Sequence, residues 1–300
     1  MYSFNGKPFS EYGIIATKPS DSDLSISGCW DMPSRIGKTH HVWPDEIGLE
    51  PYVRADEIFF GGRDIVFKGH VRAEDREGAL TATSLLISDI DSTTTLAPLV
   101  CPWGTWNVYV KDAVSIGYIR DGIASVQITF REPIVTVPTA IPTGTGGVGI
   151  DGISFEELGL VKMATSDQFD RSATKGYEST VYGSEAWKVT KRSFREFGFR
   201  FAINAPSYSA FVGIVKGVHA LLAKPGVRTL RLDDGSTREF FIKDGFTVSG
   251  LRRNGEQTIA FLDLKLTEVR LLENWNTFTS GGFKLVDKHG QPLGEILKSI

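Results

Sequence analysis

The chain has 300 residues and a formal net charge of -3, so it exerts no global pull on nucleic acid, and sequence-specific binding to DNA or RNA is not expected. Hydrophobic residues at 41% and charged residues at 23% fit a globular protein with a real core, while 32 glycines and 11% aromatics favour turns and strands over long helices. No run approaches the ~20 apolar residues of a membrane-spanning helix. The opening MYSFNGKPFSEYG has neither the basic head nor the apolar stretch of a secretion signal. Cys29 and Cys101 stand apart rather than in a C-x-x-C pair, which argues against a zinc knuckle and suits assembly in a reducing cytoplasm.

In chain order, the first segment of interest is FNGKPFSEYGI at residues 4–14, because it returns as IDGISFEELGL at 150–160. Asn5 meets Asp151, Gly6 meets Gly152, Phe9 meets Phe155, Glu11 meets Glu157 and Gly13 meets Gly159. Every apolar position falls on an apolar one, as an internal duplication requires. Residues 29–52, CWDMPSRIGKTHHVWPDEIGLEPY, form a long irregular insertion of the kind that makes contacts or carries function. The strand DIVFKGHV (64–71) precedes a helical stretch from Asp75 to Ile90 with Ala79, Thr83, Leu86, Ile87 and Ile90 on one face. WNVYVKDA and SVQITF then flank Asp121-Gly122, which predicts a type I′ hairpin turn.

Residues 133–149, PIVTVPTAIPTGTGGVG, read as a linker that is extended at first and flexible afterwards. Beyond it, period-two spacing of Phe197, Phe199, Phe201 and Ile203 predicts one strand over 189–203. Tyr208, Phe211, Val212, Val215, Val218 and Leu222 follow at helical spacing until Pro225-Gly226 stops the helix. The strand TREFFIKDG and a second hairpin around Asn254-Gly255 complete this half, where Ile242-Lys243-Asp244 matches Val110-Lys111-Asp112. The expected fold class is α+β, mainly β, with two tandem domains that each pack one helix on an antiparallel sheet. Their expected bounds are 1–134 and 150–272, with 135–149 as linker. A C-terminal extension, 273–300, holds a hairpin-like LVDKHGQPLGEIL.

No constellation points to catalysis, and no catalytic, cofactor or metal residue is assigned. His40-His41 with Asp45-Glu46 is the best metal-like cluster, but adjacent strand residues face opposite ways, so a polar loop is the expected reading. His70, His219 and His289 are scattered, and His219 sits beside the apolar helix face as a packed or surface group. No G-x-S-x-G elbow occurs, GTGGVG at 144–149 lacks the Lys-Ser/Thr of a phosphate loop, and Asp233-Asp234-Gly235 reads as a turn. Trp43, Trp103 and Trp106 could stack on sugar rings, which leaves a carbohydrate-binding module as the alternative to core or subunit packing.

The opening F-N-G-x-x-F-S-E-Y-G-I, the single helix and the closing strand ending in Phe130-Arg131-Glu132-Pro133 resemble the N-terminal domain of phage distal tail proteins. The likeness covers the first half well and the second in weaker form, and no role is transferred to Met32-Pro33-Ser34-Arg35-Ile36-Gly37. It implies a tail-tube-like fold, no enzyme activity and no cofactor. It further implies a virion structural component of the tail tip or baseplate, made in the host bacterial cytoplasm. The implied partners are other copies of this chain, in a ring of six or a pseudohexameric ring of three, together with tail tube and hub or tip proteins. Where that family's second domain is commonly lectin-like, the second half here looks like another first domain.

Overall fold

Two large curled antiparallel sheets, each accompanied by one long helix, and two small two-stranded sheets make up the computed structural model, which describes residues 1–19, 22–43, 47–166, 174–181 and 183–269. The first half opens with β1 (Ser3–Phe4), β2 (Lys7–Pro8), a single 3-10 turn at Phe9–Tyr12 and β3 (Ile14–Ala16). Three short strands follow, β4 (Ile26–Ser27), β5 (His40–His41) and β6 (Glu50–Pro51). The long β7 (Arg63–Arg72) leads into α1 (Arg76–Asp91), then β8 (Ala97–Cys101), β9 (Gly104–Val110), β10 (Ser115–Arg120) and β11 (Ile123–Glu132).

The second half runs β12 (Gly149–Ile150), β13 (Ile153–Ser154), β14 (Leu160–Ser166), β15 (Thr174–Val181), β16 (Ser184–Arg192) and β17 (Glu196–Ala205). After α2 (Tyr208–Ala223) come β18 (Arg228–Arg231), β19 (Thr237–Phe241), β20 (Phe246–Asn254) and β21 (Gln257–Glu268). The two large sheets share one strand order. The first is β2-β1-β8-β9-β11-β7-β3 with β10 on β11 and β4 added on β7; the second is β13-β12-β18-β19-β21-β17-β14 with β20 on β21. The fold is α+β and mainly β.

The repeated opening motif has a common cause. Asn5-Gly6 and Asp151-Gly152 each take positive φ at both turn positions, 51° and 79° in one, 52° and 78° in the other. That is the type I′ requirement, which Asn, Asp and Gly meet most easily. Each turn is then anchored on the adjacent strand, Asn5 N–H on the Pro98 carbonyl at 3.0 Å and Asp151 N–H on the Thr229 carbonyl at 2.8 Å. Phe9 and Phe155 follow as buried plugs, with ring centroids 4.5 Å from Phe67 and 4.8 Å from Phe201. In β7 and β17 alternate residues are buried, Ile65, Phe67 and Val71 in one, Phe197, Phe199, Phe201 and Ile203 in the other. Both helices start on a side-chain cap, Asp75 accepting from Gly78 N–H at 2.8 Å and Ser207 from Ala210 N–H at 3.1 Å.

Several expectations need correction. At the other two hairpins only one residue has positive φ, Gly122 in the second loop position and Gly255 in the first, so neither is type I′. Ile87 is 38% exposed, because the buried stripe of α1 runs through Ala79, Thr83 and Leu86. The strand expected over 189–203 is two strands, with β16 ending at Arg192 and β17 starting at Glu196. The linker is held rather than loose: Pro142 packs on Gly217, and Thr145 donates through its N–H and Oγ1 to Glu157 at 2.9 and 2.8 Å. A bond from Ser154 N–H first, and then these two from Thr145, pull the Glu157 carboxyl down to about 2. The segment 285–297 lies outside the described residues.

Candidate assembly interface

The insertion between β3 and β7 touches both sheets: β4 pairs with β7 of its own sheet, and the segments on either side of β4 lie on the other one. Asp23 N–H donates to the Leu251 carbonyl at 2.7 Å, and Arg253 N–H donates back to the Asp23 carboxylate at 2.7 Å. Further along, Val248 N–H donates to Asp31 Oδ1 at 2.7 Å, Met32 N–H to the Phe246 carbonyl at 3.0 Å and Arg35 N–H to the Lys243 carbonyl at 2.9 Å. The outer edge of β20 is thus capped by a strand-like arm, the common remedy for an exposed sheet edge. Gly245 permits the approach: at φ 72° it has no side chain, and a Cβ there would strike the Met32 carbonyl oxygen.

The arm then reaches the base of the β15–β16 hairpin and the residue that follows β21. Gly48 N–H meets the Arg192 carbonyl at 3.2 Å, Leu49 N–H meets that of Val269 at 3.3 Å, and Leu49 is buried with Phe241 and Val269. Arg35, nearly buried, donates to the carbonyls of Tyr52 and Glu57 and lies 5.9 Å over the Phe241 ring. Burial lowers its proton affinity below the usual guanidinium range.

Behind the arm the two halves share one apolar core. Trp30 stands edge-on to Trp106 of the first half at 6.0 Å and to Tyr208 and Phe211 of the second at 6.2 and 6.0 Å. Tyr208 donates its hydroxyl to the Trp103 carbonyl at 2.5 Å. Two titratable groups are sealed into this joint. Asp31 is raised to about 6 by burial, against the opposing Val248 N–H bond and the Arg63 charge. His219 is wedged between Phe60 and Phe246, and burial, with Arg63, pulls it down to about 4. A cavity of about 290 Å³ beside it is lined by Trp30, Arg63, Trp106, Glu132 and Lys216, and Arg63 pairs with Glu132 at 2.5 Å.

The residues singled out for chemistry do not converge. In β5 the His40 ring packs on Phe194 at 5.4 Å and Phe241 at 5.9 Å, whereas His41 turns toward Trp43 at 4.1 Å and Lys38. Asp45 and Glu46 lie outside the described residues, as does His289, and no metal-like group of His, Cys, Asp and Glu occurs among the described ones. Trp106 is buried and cannot be a sugar platform. Trp103 is half-buried against Tyr208, with Arg253 5.7 Å above its ring, while Trp43 is exposed and hydrogen-bonded to Glu50 at 2.9 Å. Sequence reasoning missed both Asp23, which lies before the long insertion and carried no signal, and Asp31, whose one signal was its place near the start of that insertion.

No family model matches the chain, and no curated protein does. Among solved structures, one similar chain is the SPP1 Dit (gp 19.1) protein, described as a paradigm of the hub adsorption apparatus in phages infecting Gram-positive bacteria. It is 13% identical, with a TM-score of 0.35 over 89% of this chain and 97% of that one.

Proposed function

We propose that this protein is a structural ring component of a phage tail tip or baseplate, joining the tail tube to the hub or tip, made in the host cytoplasm and carried in the virion tail. In this reading residues 1–134 and 150–272 are two copies of one tail-tube-like domain joined by 135–149, with 273–300 as an extension. The observation that carries it is the pair of sheets with one strand order, already joined side by side by the arm. A unit that packs beside a copy of itself needs only a second such contact to propagate around an axis. Its partners would be further copies of itself, three or six chains to a ring, and the tail tube and hub proteins above and below. The opening motif shared with distal tail proteins supports the same reading. Mass photometry and negative-stain electron microscopy of the purified chain test it: closed rings are expected, and a strict monomer at micromolar concentration, alone and with a tail tube protein, would refute it.

A further inference from the structure

We infer that neighbouring chains join head to tail by repeating between chains the joint each makes within itself: the β15–β16 hairpin of one chain seats on the outer edge of β10 and the outer face of α1 in the next. This rests on the ring reading above and names its contact. The first observation is the sheet edge. Ile116 stands opposite Val126 in the β10–β11 ladder as Val248 stands opposite Leu262 in the β20–β21 ladder. Around Val248 the outer edge is met by Asp31, Met32 and Arg35. Around Ile116 no strand lies beyond β10 among the described residues. A bare edge with its row of N–H and carbonyl groups is a template for an incoming chain.

The second observation is the helix. Counting from the caps Asp75 and Ser207, Leu85 occupies the position of Gly217 and Ile87 that of His219. In α2 these positions are buried under Pro142 of the linker and Phe60 of the arm. In α1 Leu85 is 55% exposed, Ile87 38% and Leu80 44%. Both surfaces that the internal joint covers in the second half are therefore left uncovered in the first among the described residues, and one of them is apolar.

The third is the occupant. The arm lies between β3 and β7; at the same place in the second half, between β14 and β17, stands β15–β16, a separate two-stranded sheet. An isolated hairpin is marginal in water and gains by packing on another surface. Strands of 8 and 9 residues extend ~26–30 Å at ~3.3 Å per residue, enough to cross a neighbour's sheet. One difference shapes the contact. Ala113 stands where Gly245 admits Met32, so the visiting strand must sit off Ala113 and pair beyond it, along Ser115–Arg120. Because the hairpin belongs to the second half and the edge to the first, the contact is heterologous and both copies enter the ring.

The test compares wild type with three variants by mass photometry and electron microscopy, with circular dichroism and thermal melts to confirm folding. Ile116→Pro removes an outward N–H on an edge strand, where proline is tolerated. Leu85→Glu with Ile87→Glu charges the bare helix face, and because both positions are exposed the pair remains decisive should the proline variant unfold. The third replaces 174–192 with a Gly-Ser linker. Wild type is expected as closed rings, and each folded variant as a monomer where wild type is assembled. Rings that survive in the folded variants would overturn this contact while leaving the ring reading intact. A wild type that forms no ring alone would overturn this contact, and one that forms none with a tail tube protein either would overturn the ring reading as well.

Discussion

His219 makes the sealed joint measurable. Its ring is 6% exposed, its Nε2 has no hydrogen-bond partner among the described residues, and burial lowers its pKa from 6.5 to about 4. The folded state therefore resists protonation, and the unfolded chain takes up the proton first. The stability it contributes is complete above pH 6.5 and is lost as pH falls toward 4. By linkage the loss is about 2 kcal/mol at pH 5 and about 3 kcal/mol at pH 4. His219→Phe removes the titration and the buried nitrogen, and keeps an aromatic ring between Phe60 and Phe246 with the adjoining cavity to take the extra atom. The variant is expected to match or exceed wild type by about 1–2 kcal/mol at pH 7.5, where it relieves an unsatisfied polar atom. Its advantage should widen by about 2 kcal/mol at pH 5. Urea unfolding at both values, followed by tryptophan fluorescence, reads the difference directly. Parallel stability–pH curves for the two proteins would refute the reasoning, because they would mean that the joint admits water or a counter-charge to His219.

Asp31 carries the opposite sign. Its carboxyl, raised to about 6, favours the protonated folded state, so its contribution is present below about pH 4 and lost as pH rises through 6. Asp31→Asn, which can still accept from Val248 N–H, should flatten that part of the curve, and an unchanged slope between pH 4 and 7 in urea titrations would count against the assignment. Gly245→Ala forces a Cβ onto the Met32 carbonyl at positive φ and should cost at least ~2 kcal/mol of thermal stability. Trp106→Ala should cost about 3–5 kcal/mol as a core truncation, whereas Trp43→Ala should stay within about 0.5 kcal/mol. Denaturant midpoints separate the two, and equal losses would mean that the burial of Trp106 is wrong.

What could be read locally was read well where local physics decides. The alternation of Phe197, Phe199, Phe201 and Ile203 marks a strand because one face must be dry. The stripe from Phe211 to Leu222 marks a helix for the same reason, and Asn5-Gly6 with Asp151-Gly152 marks a duplicated turn because few residue pairs accept two positive φ values. Where a second surface intervenes, the pattern blurs. The last turns of α2 are buried all round, Gly217, His219 and Ala220 included, because the linker and arm cover the side that a lone helix would leave to water. Ile87 shows the converse, a residue of core character at a position that its own sheet does not reach.

The joint itself could not be read in this way, and the reason is physical. Asp31 and Val248 are separated by 217 positions, and Asp23 and Arg253 by 230. Neither pair leaves a periodic trace, since a carboxylate that accepts from a backbone N–H does so whatever side chain the donor carries. The insertion announced only that it was too long and too irregular to be idle. Gly245 is the nearest thing to a signature. At φ 72° it reads as an ordinary turn glycine, yet the space its missing side chain leaves is filled by another part of the chain. Ala113 at the matching place in the first half therefore distinguishes two surfaces of one design. One edge is shaped to receive an arm already present. The other, along β10, has no strand beyond it among the described residues, and Ile116→Pro tests that second edge without touching the first.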